Sequence, residues 1–478
     1  MALGVTGLLA ALAGVRPSGQ LAFFALAALV LLLAAGRGLE IRRLRRRLGP
    51  RRLAFHPSER WLSFDAQPGY GLEAWSFDLA APVLPRAPLL RAGIAFAGLV
   101  AFQFLPMPEG MAPGTLSSRD TARGLLFVLA ALALHLGASS AFTQPEARQR
   151  FRRVVALLGL VTATVALVQL AYGVTRIYGV FAPLEPGAQQ LLGPFVNRNH
   201  FAACMLLVIP IATSLLVQAQ RRLRHRLGPR PNLRRILLGL GSVEGTGFLF
   251  AMLPPFVCLA GLLASTSRGG LLGLVAGLAV AAVAQKRRAW FSLGAWVLAL
   301  LGVALASYGL ERIEARFAAA AREGDSRTLV WRDALARMDG YWARGSGFNT
   351  FAWAMSRAVP MDLPVGATPW PVDLRTPVAS PTGAWPAFRV PSEAAGIVWY
   401  REAHNDYLQI LVETGVPGLL LAVWAAGACL KAAERDPWLS AALAGFLTHE
   451  VMDFPLQIPA LAALFVTLAA LRSLPERP

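Results

Sequence analysis

The sequence predicts an all-α polytopic membrane protein, with about twelve transmembrane helices and a helical cap on one side of the membrane. Two observations carry this prediction. The chain is 55% hydrophobic and only 15% charged, whereas a soluble domain is about 25% charged, and its mean hydropathy is +0.51. In addition, the basic residues lie in short clusters between long apolar runs, which is the pattern of cytoplasmic loops in membrane proteins.

The apolar runs give the number of helices. A spanning α-helix needs about 20 apolar residues, with a range of about 17 to 25, and several runs lie at or below the short end. The first run lacks the basic start of a signal peptide, so we interpret it as part of a retained helical hairpin. The predicted spans lie near residues 2–15, 19–36, 88–106, 123–141, 153–173, 200–219, 246–264, 270–285, 289–307, 414–430, 438–452 and 457–472.

The basic clusters give the orientation. Placing all of them in the cytoplasm fits twelve alternating crossings and puts both termini in the cytoplasm. The net charge of +19 is then explained by membrane topology rather than by nucleic-acid binding. The clusters occupy residues 37–52, 148–153, 221–235 and 286–288, with Lys431 as the last. The outer loops are then 107–122, 174–199, 265–269, 308–413 and 453–456.

These patterns divide the chain into five segments. Within the predicted cap, residues 311–322 and 327–339 have helical patterning, while residues 360–393 are rich in Pro, Gly and Trp and read as a loop. Three cysteines lie in apolar runs, where we expect packing roles rather than a disulfide or zinc site. The segments are an N-terminal hairpin (1–36), a basic and aromatic cytoplasmic insertion (37–87), a transmembrane core (88–307), the outer cap (308–413) and C-terminal transmembrane helices (414–478).

Two polar turns at the outer ends of predicted spans are candidate anion sites. Asn197 and Arg198 bring polar donors to the start of the sixth span; an ordinary helix start capped by Asn is the alternative. Ser267 precedes Arg268 in a tight turn, and the planar guanidinium suits bidentate phosphate binding. A hairpin connector is the alternative there. Because an outer arginine opposes the topological bias, we favour a function for Arg268.

The long outer loop holds a second pair of candidates. Arg327 and Trp331 are four residues apart in a predicted helix, so they share a face. Arg327 lies near the helix N-terminus, where anions are favoured. The glycines Gly345 and Gly347 then allow a close approach of backbone to a ligand, although an ordinary loop turn explains them equally well.

His404 is the only histidine of the long loop. Its ordinary pKa of about 6.5 suits a general base, and a structural helix cap is the alternative for it and for Asn405. Glu413 lies further along the same stretch, where it either orients His404 or faces solvent. Asp453 ends the eleventh span. Since ionisable groups at that depth need a partner, we expect Asp453 to pair with an arginine.

In their order along the chain, these motifs resemble the bacterial O-antigen ligase/polymerase superfamily. The resemblance covers about residues 88–472 and rests on motif order and topology, because no single motif is specific. It implies a GT-C-type membrane glycosyltransferase in the bacterial inner membrane, with twelve helices, a periplasmic cap and a periplasmic active site. The set is Gly193…Asn197-Arg198-Asn199, Ser267-Arg268-Gly269, Arg327…Trp331, Gly345-x-Gly347…Phe351, His404-Asn405…Glu413-x-Gly415 and Asp453.

The resemblance also implies roles for single residues. His404 corresponds to the catalytic histidine that deprotonates the acceptor hydroxyl. Arg268 and Arg327 correspond to the arginines that hold the diphosphate of an undecaprenyl diphosphate-linked glycan, with Arg198 as a third. The reaction inverts the anomeric centre and needs charge stabilisation rather than a metal or other cofactor. The supporting residues are Asn197, Ser267, Trp331, Asn405, Glu413 and Asp453.

The acceptor stays open at this stage. A ligase that transfers a finished glycan to lipid A core or another glycan, in lipopolysaccharide or surface polysaccharide biosynthesis, is the leading hypothesis. An O-antigen or exopolysaccharide polymerase and a protein O-oligosaccharyltransferase share the same donor motifs. A polytopic transporter would place ionisable groups near the bilayer midplane. His135 is the one clear ionisable residue in the middle of a predicted span, whereas the other polar motifs lie at one membrane face. The segments 53–87 and 360–393 exceed the minimal family pattern.

Overall fold

A computed structural model of the chain describes residues 24–30, 54–56, 61–63, 87–106, 114–142, 145–177, 191–229, 231–284, 326–356, 400–434 and 436–471. The predicted spans near 2–15 and 289–307 lie outside the described residues. So do the predicted helix 311–322 and the predicted loop 360–393.

The described chain is helical apart from one small hairpin. Strands β1 (Ala54–His56) and β2 (Trp61–Ser63) pair antiparallel, and residues 24–30 are helical. A 3-10 turn (Pro455–Gln457) precedes the last helix. The helices are α1 (Leu90–Phe102), α2 (Ser118–Ala141), α3 (Pro145–Ala171), α4 (Arg198–Leu227), α5 (Leu233–Leu240), α6 (Val243–Ala264), α7 (Arg268–Ala284), α8 (Ser326–Ala336), α9 (Phe351–Ser356), α10 (Asp406–Ala433), α11 (Pro437–His449) and α12 (Pro459–Ala469).

Several of these helices are suited to cross a membrane. In the part of the chain that the structure describes, five are long and apolar enough: α2, α3, α4, α6 and α10. Helices α1, α7 and α12 are apolar but shorter. All eight coincide with predicted spans, so the prediction of a helical polytopic protein is confirmed. The total of twelve spans and the periplasmic cap stay predictions.

Helix α4 is the centre of the bundle. It packs against α3, α6 and α11. Of its apolar 18-residue stretch, 89% is buried. Its residues from Phe201 to Leu216 carry no charge, which is typical of a helix that other helices surround on all sides. The three cysteines are buried in the core of the bundle, as expected.

Helices α7 and α11 approach each other unusually closely, because glycines lie at their contact. A Cβ atom at Gly277 would lie 2.4 Å from the carbonyl oxygen of Ala441, and one at Gly445 would lie 2.8 Å from that of Gly273. Small residues allow this backbone contact between membrane helices. The two helices are antiparallel, so the N-terminus of α7 lies beside the C-terminus of α11.

A second, smaller core lies outside the bundle. Helices α8 and α9 pack there with the residues just before and within the first part of α10. Helix α10 is kinked at Gly415, whose φ of 67° is in the left-handed region. The predicted domain boundary at residue 414 lies beside this kink, inside α10, and stays a prediction. The core residues include Val330, Met338, Phe351, Ala403 and Val412.

His135 has a structural environment in the bundle. Its Nδ1 lies 2.9 Å from the carbonyl oxygen of Val466, and its Nε2 accepts the backbone N–H of Leu89 at 3.3 Å. The ring therefore joins α2 to α12 and to the residue that precedes α1. These backbone partners satisfy both ring nitrogens, which is the arrangement of a packing histidine.

The glycine contact predicts a specific loss of stability. We expect Gly277→Ala to lower the free energy of unfolding by about 1 to 3 kcal/mol, because the new methyl group overlaps the Ala441 carbonyl. Gly427→Ala in α10 is the matched control, since a Cβ there meets nothing within 4 Å. Thermal unfolding in detergent, followed by size-exclusion chromatography, measures both. Equal melting temperatures for the two variants would contradict the proposed packing.

Candidate active site

The candidate site lies where the ends of several helices meet. The Oγ of Ser267 donates a hydrogen bond of 2.8 Å to the Oδ1 of Asn199, so the start of α4 touches the turn before α7. The Nε2 of His449 lies 3.1 Å from the carbonyl oxygen of Asn199, which adds the end of α11. Predicted outer turns that are far apart in sequence thus form one surface.

Two helix N-termini meet at this point, and each helix begins with an arginine. Arg198 is the first residue of α4 and Arg268 the first of α7. The first turn of a helix presents unpaired N–H groups and a partial positive charge. Since the side chain of Arg268 is exposed and that of Arg198 half-buried, the region is suited to bind an anion such as a phosphate.

The polar residues before these arginines cap the helices. The Oδ1 of Asn197 accepts the N–H of Asn199 at 2.8 Å, and the Oγ of Ser267 accepts the N–H of Gly270 at 3.1 Å. The cap that the sequence offered as an alternative for Asn197 is therefore present. Asn405 likewise caps α10, because its Oδ1 accepts the N–H of Leu408 at 3.0 Å. These caps fix the direction in which each helix starts.

His404 faces the carboxylate of Asp453. Its Nδ1 lies 3.4 Å from Oδ1 of Asp453, which is fully buried, while the imidazole itself is 40% exposed. The ring therefore has one nitrogen directed to the protein interior and one edge available to a substrate. An imidazole backed by a carboxylate is the usual arrangement of a general base.

Asp453 has two further imidazoles around it. The Nε2 of His200 lies 3.8 Å from its Oδ2, and the Nε2 of His449 lies 4.0 Å from the same oxygen. Burial by itself raises the pKa of Asp453, but the imidazoles of His200, His449 and His404 together hold it below its ordinary value. An ionised carboxylate can only accept hydrogen bonds, so this contact favours the His404 tautomer with the ring proton on Nδ1.

The turn that carries Asp453 is fixed by the start of α10. The carboxylate of Asp406 accepts the N–H of Leu456 at 3.1 Å and the side-chain amide of Gln457 at 3.0 Å. The N–H of Asp406 is shared between the carbonyl oxygens of Glu450 and Asp453. Since Asp406 follows His404 by only two residues, these bonds hold the imidazole and its carboxylate partner opposite each other.

The backbone at His404 is held in an unfavourable conformation. Its φ is 51°, in the left-handed region, which costs a residue other than glycine about 1 to 2 kcal/mol. Both polar groups of Ala403 are fixed: its N–H donates to Oε1 of Gln409 at 3.0 Å, and its carbonyl accepts the indole N–H of Trp331 at 2.9 Å. These two bonds determine where the His404 side chain starts.

Trp331 also brings α8 to the site. Arg327 lies one helical turn before Trp331 on the same face. Its side chain is half-buried. The Trp331 bond to Ala403 thus anchors the helix that carries Arg327 beside the residue before His404.

The carboxylate of Glu413 binds the backbone of a turn rather than His404. Its carboxylate accepts the backbone N–H groups of Asn349 at 2.7 Å and Phe351 at 3.0 Å. The N–H of Gly347 donates to its carbonyl oxygen at 3.0 Å. Glu413 therefore neither contacts His404 directly nor faces solvent, because its side chain is buried and binds the glycine turn. The side-chain amide of Gln409 donates to Oε1 of Glu413 at 3.2 Å, and its own Oε1 accepts the N–H of Ala403. Gln409 thus links Glu413 to the residue before His404.

Sequence reasoning missed several residues of this cluster. His200, Asp406, Gln409 and His449 were not predicted from the sequence to belong to it. A helical spacing was the available signal, because His449 lies four residues before Asp453 and Gln409 four residues before Glu413. We expected an arginine beside Asp453; the neighbours that the structure places within 4.0 Å are imidazoles.

Comparison with known proteins finds a family similarity for part of the chain. Residues 254–423 match the model of the O-antigen ligase family. This segment belongs to the O-antigen ligase superfamily. No curated protein matches the chain. The family implies a glycosyltransferase-like enzyme of bacterial membranes that acts on lipid-linked glycans.

The O-antigen ligase segment contains some of the cluster but not all of it. Ser267, Arg268, Arg327, Trp331, His404, Asn405 and Glu413 lie inside the matched range, whereas Asn197, Arg198 and Asp453 lie outside it. The structure joins the two groups through the contacts of Ser267 with Asn199 and of His404 with Asp453. The cluster therefore extends beyond the family match on both sides.

Trp331 gives a test of how His404 is positioned. We expect Trp331→Phe to lower the turnover number of glycosyl transfer on the order of tenfold, with an unchanged KM, because the indole bond to the Ala403 carbonyl is lost. Trp424→Phe is the control, since Trp424 is 49% exposed on α10. Steady-state kinetics of both purified variants provide the comparison. A fall in the control equal to that in Trp331→Phe would argue against a positioning role.

Asp453 gives a second test. Asp453→Asn keeps the side-chain size but removes the charge that fixes the His404 tautomer, so we expect transfer to fall about 100-fold or more. Thermal stability should stay constant or rise, because a buried carboxylate is replaced by a neutral amide. Activity and melting temperature are measured on the same preparation. Loss of activity together with unfolding would indicate a structural role alone.

Proposed function

We propose that the protein is an O-antigen ligase-type glycosyltransferase of the bacterial inner membrane. In this proposal it transfers a glycan from undecaprenyl diphosphate to a hydroxyl of lipid A core or another glycan. The observation that carries the proposal is the half-exposed imidazole of His404, backed by the buried carboxylate of Asp453. Beside it, the helices that start at Arg198 and Arg268 supply an anion site.

The proposed reaction is a single displacement at the anomeric carbon. The Nε2 of His404 takes the proton of the acceptor hydroxyl, whose oxygen forms the new glycosidic bond. The bond between the anomeric carbon and the diphosphate oxygen breaks, and the diphosphate leaves with the electron pair. One displacement inverts the anomeric configuration. Asp453 stabilises the imidazolium that forms, as a carboxylate does in a catalytic triad.

The arginines are proposed to bind the leaving group. A diphosphate gains negative charge as the glycosidic bond breaks, and preorganised cations at that position lower the barrier. Arg268 and Arg327 would contact the diphosphate directly, with Arg198 as a third, because Arg198 and Arg268 begin adjoining helices and Arg327 lies on the helix that Trp331 anchors beside His404. This arrangement is proposed to work without a metal ion. Restoration of chelator-treated enzyme by Mg²⁺ or Mn²⁺ would overturn that part.

The remaining polar residues are proposed to position the reacting groups. Trp331 and Gln409 hold the backbone before His404, while Asn405 fixes the start of α10. Glu413 holds the glycine turn at Gly345–Phe351, which we assign to the substrate side of the site. With both termini in the cytoplasm, the active site faces the periplasm in this proposal.

Two other activities would use the same donor chemistry. A polymerase of O-antigen or exopolysaccharide takes a second lipid-linked glycan as acceptor, and a protein O-oligosaccharyltransferase takes a peptide hydroxyl. A transporter is disfavoured, because His135 has two backbone partners and the ionisable cluster lies at helix ends.

Reconstitution separates these activities. Purified protein in proteoliposomes receives an undecaprenyl diphosphate-linked oligosaccharide, with lipid A core in one sample and only more donor in the other. Label on lipid A core supports a ligase, and a ladder of longer lipid-linked chains supports a polymerase. If folded protein labels neither lipid A core nor longer lipid-linked chains, the ligase and polymerase activities are both rejected. A serine-containing peptide is then tested as the acceptor.

His404 is the decisive residue for this proposal. We expect His404→Ala to reduce transfer to the background level while the protein stays folded and inserted, because no other group in the proposal accepts the acceptor proton. Product formation is followed in the reconstituted system, with size-exclusion chromatography as the check on folding. Full activity of this variant would remove the general-base assignment.

Arg327 tests the diphosphate site. We expect Arg327→Ala to raise the KM for the lipid-linked donor about tenfold or more, since a charge-assisted contact to phosphate is lost. Arg332→Ala in the same helix is the matched control, because the Arg332 side chain is 74% exposed. Donor titrations at fixed acceptor concentration give both values. The same KM in the two variants would contradict a role for Arg327 in donor binding.

A further inference from the structure

The end of α4 opposite to the candidate active site carries a dense basic cluster. Helix α4 has 30 residues and is therefore about 45 Å long, so its two ends face opposite sides of the membrane. The last two turns expose Arg221, Arg222, Arg224, His225 and Arg226. Four arginines and a histidine at the C-terminal end of one helix create a strongly positive region, next to the negative end of the helix dipole.

Two of these arginines, Arg221 and Arg224, line surface cavities that are open to solvent. One cavity of about 410 Å³ lies between the end of α4, helix α5 and the start of α6. A second cavity of about 380 Å³ adjoins it and shares Arg224 and Gly228 with it. Arg221 lines only the second cavity. By contrast, Arg226 pairs with Glu244 at 2.9 Å, so it joins α4 to α6.

The larger cavity has an apolar wall. Leu223, Leu227, Ile236 and Phe248 form it, while Gln220 and Arg224 supply the polar side. This combination of an apolar wall with a guanidinium group at one edge suits a molecule that has a hydrocarbon part and an anionic group. It is not suited to a free inorganic ion, which has nothing to place against the leucines.

Helix α5 lies against this cavity and exposes leucines on its other side. Gly239 packs on Leu227, since a Cβ at Gly239 would lie 2.4 Å from a Leu227 methyl group. Leu233 and Leu237, one turn apart, are 71% and 61% exposed. A short helix with exposed leucines and neighbouring arginines is typical of a segment that lies in the membrane interface. The cavity mouth is thereby at the level of lipid headgroups.

We propose that this groove binds an anionic phospholipid of the phosphatidylglycerol class. The phosphate group lies against Arg221 and Arg224, and one acyl chain lies along the wall formed by Leu223, Leu227, Ile236 and Phe248. The charge of the arginines complements the phosphate, and the apolar wall replaces contacts that the acyl chain has in the bilayer. A bound lipid fills the space between α4 and α5 and holds this end of the bundle together.

The test compares lipid binding by two variants with the same change in net charge. Arg221→Gln/Arg224→Gln removes the two arginines of the cavities. Arg150→Gln/Arg153→Gln removes two exposed arginines of α3, which line neither cavity. Full-length protein in detergent is titrated with phosphatidylglycerol, and bound lipid is counted by native mass spectrometry. Phosphatidylcholine and glycerol 3-phosphate are separate titrants, and size-exclusion chromatography checks that each variant is folded.

The proposal predicts one result for each arm. Phosphatidylglycerol binds the unchanged protein and the Arg150/Arg153 variant equally, and it binds the Arg221/Arg224 variant on the order of tenfold more weakly. Phosphatidylcholine and glycerol 3-phosphate bind weakly to all three. Equal affinity of both variants for phosphatidylglycerol would overturn the proposal, because a diffuse basic surface would then explain the binding. Equal affinity for the two phospholipids, or binding of glycerol 3-phosphate as tight as that of the lipid, would overturn it as well.

Discussion

The buried carboxylate of Asp453 is the interaction on which the rest of the site depends. A carboxylate out of water is costly unless nearby groups stabilise its charge. Here three imidazoles from different parts of the chain lie within 4.0 Å of the carboxylate, namely His200 at the start of α4, His449 at the end of α11 and His404 before α10. Of the three, His404 is the one that hydrogen-bonds to it. Any displacement of one of these elements leaves the charge less well stabilised. The surroundings of the Asp453 carboxylate therefore depend on the relative positions of three helices.

The strained backbone at His404 follows from the same requirement. Asn405 must start α10 while the residue before it turns its imidazole back toward Asp453, and a left-handed φ achieves both within one residue. Such a conformation persists when the surroundings determine it more than once. Trp331 and Gln409 do so through the two polar groups of Ala403. The small outer core around α8 and α9 thus acts on the site by fixing a peptide group.

Local features of the site were accessible from the sequence, and long-range pairings were not. Asn197, Ser267 and Asn405 stand directly before apolar helical runs, so their capping chemistry is readable in a short window. The contact of His404 with Asp453 joins residues 49 apart, and hydrophobic periodicity carries no information about it. Glu413 shows the same limit. Its spacing places it on a helix beside His404, but its two N–H donors come from a turn more than sixty residues earlier.

The same distinction applies to the fold. Long apolar runs such as those of α4 and α10 can be predicted as spanning helices from length and composition alone, because crossing a bilayer requires a minimum length and a minimum hydropathy. Helices α1, α11 and α12 are shorter than that minimum, so their partners matter more than their own hydropathy. The glycine contact of α7 with α11 was not predicted either, since a glycine in an apolar run gives no sign of which backbone approaches it.

That glycine contact limits how the length of the chain can change. Gly269, Gly273 and Gly277 recur every four residues of α7, facing His449, Gly445 and Ala441 in turn. An inserted or deleted residue rotates everything on one side of it by about 100°, so the glycines would leave the contact while Arg268 turned away from the histidines. Loops elsewhere in the chain can gain or lose residues without this effect. Between Gly269 and Gly277, the length of the helix is as much a part of the site as the side chains that it carries.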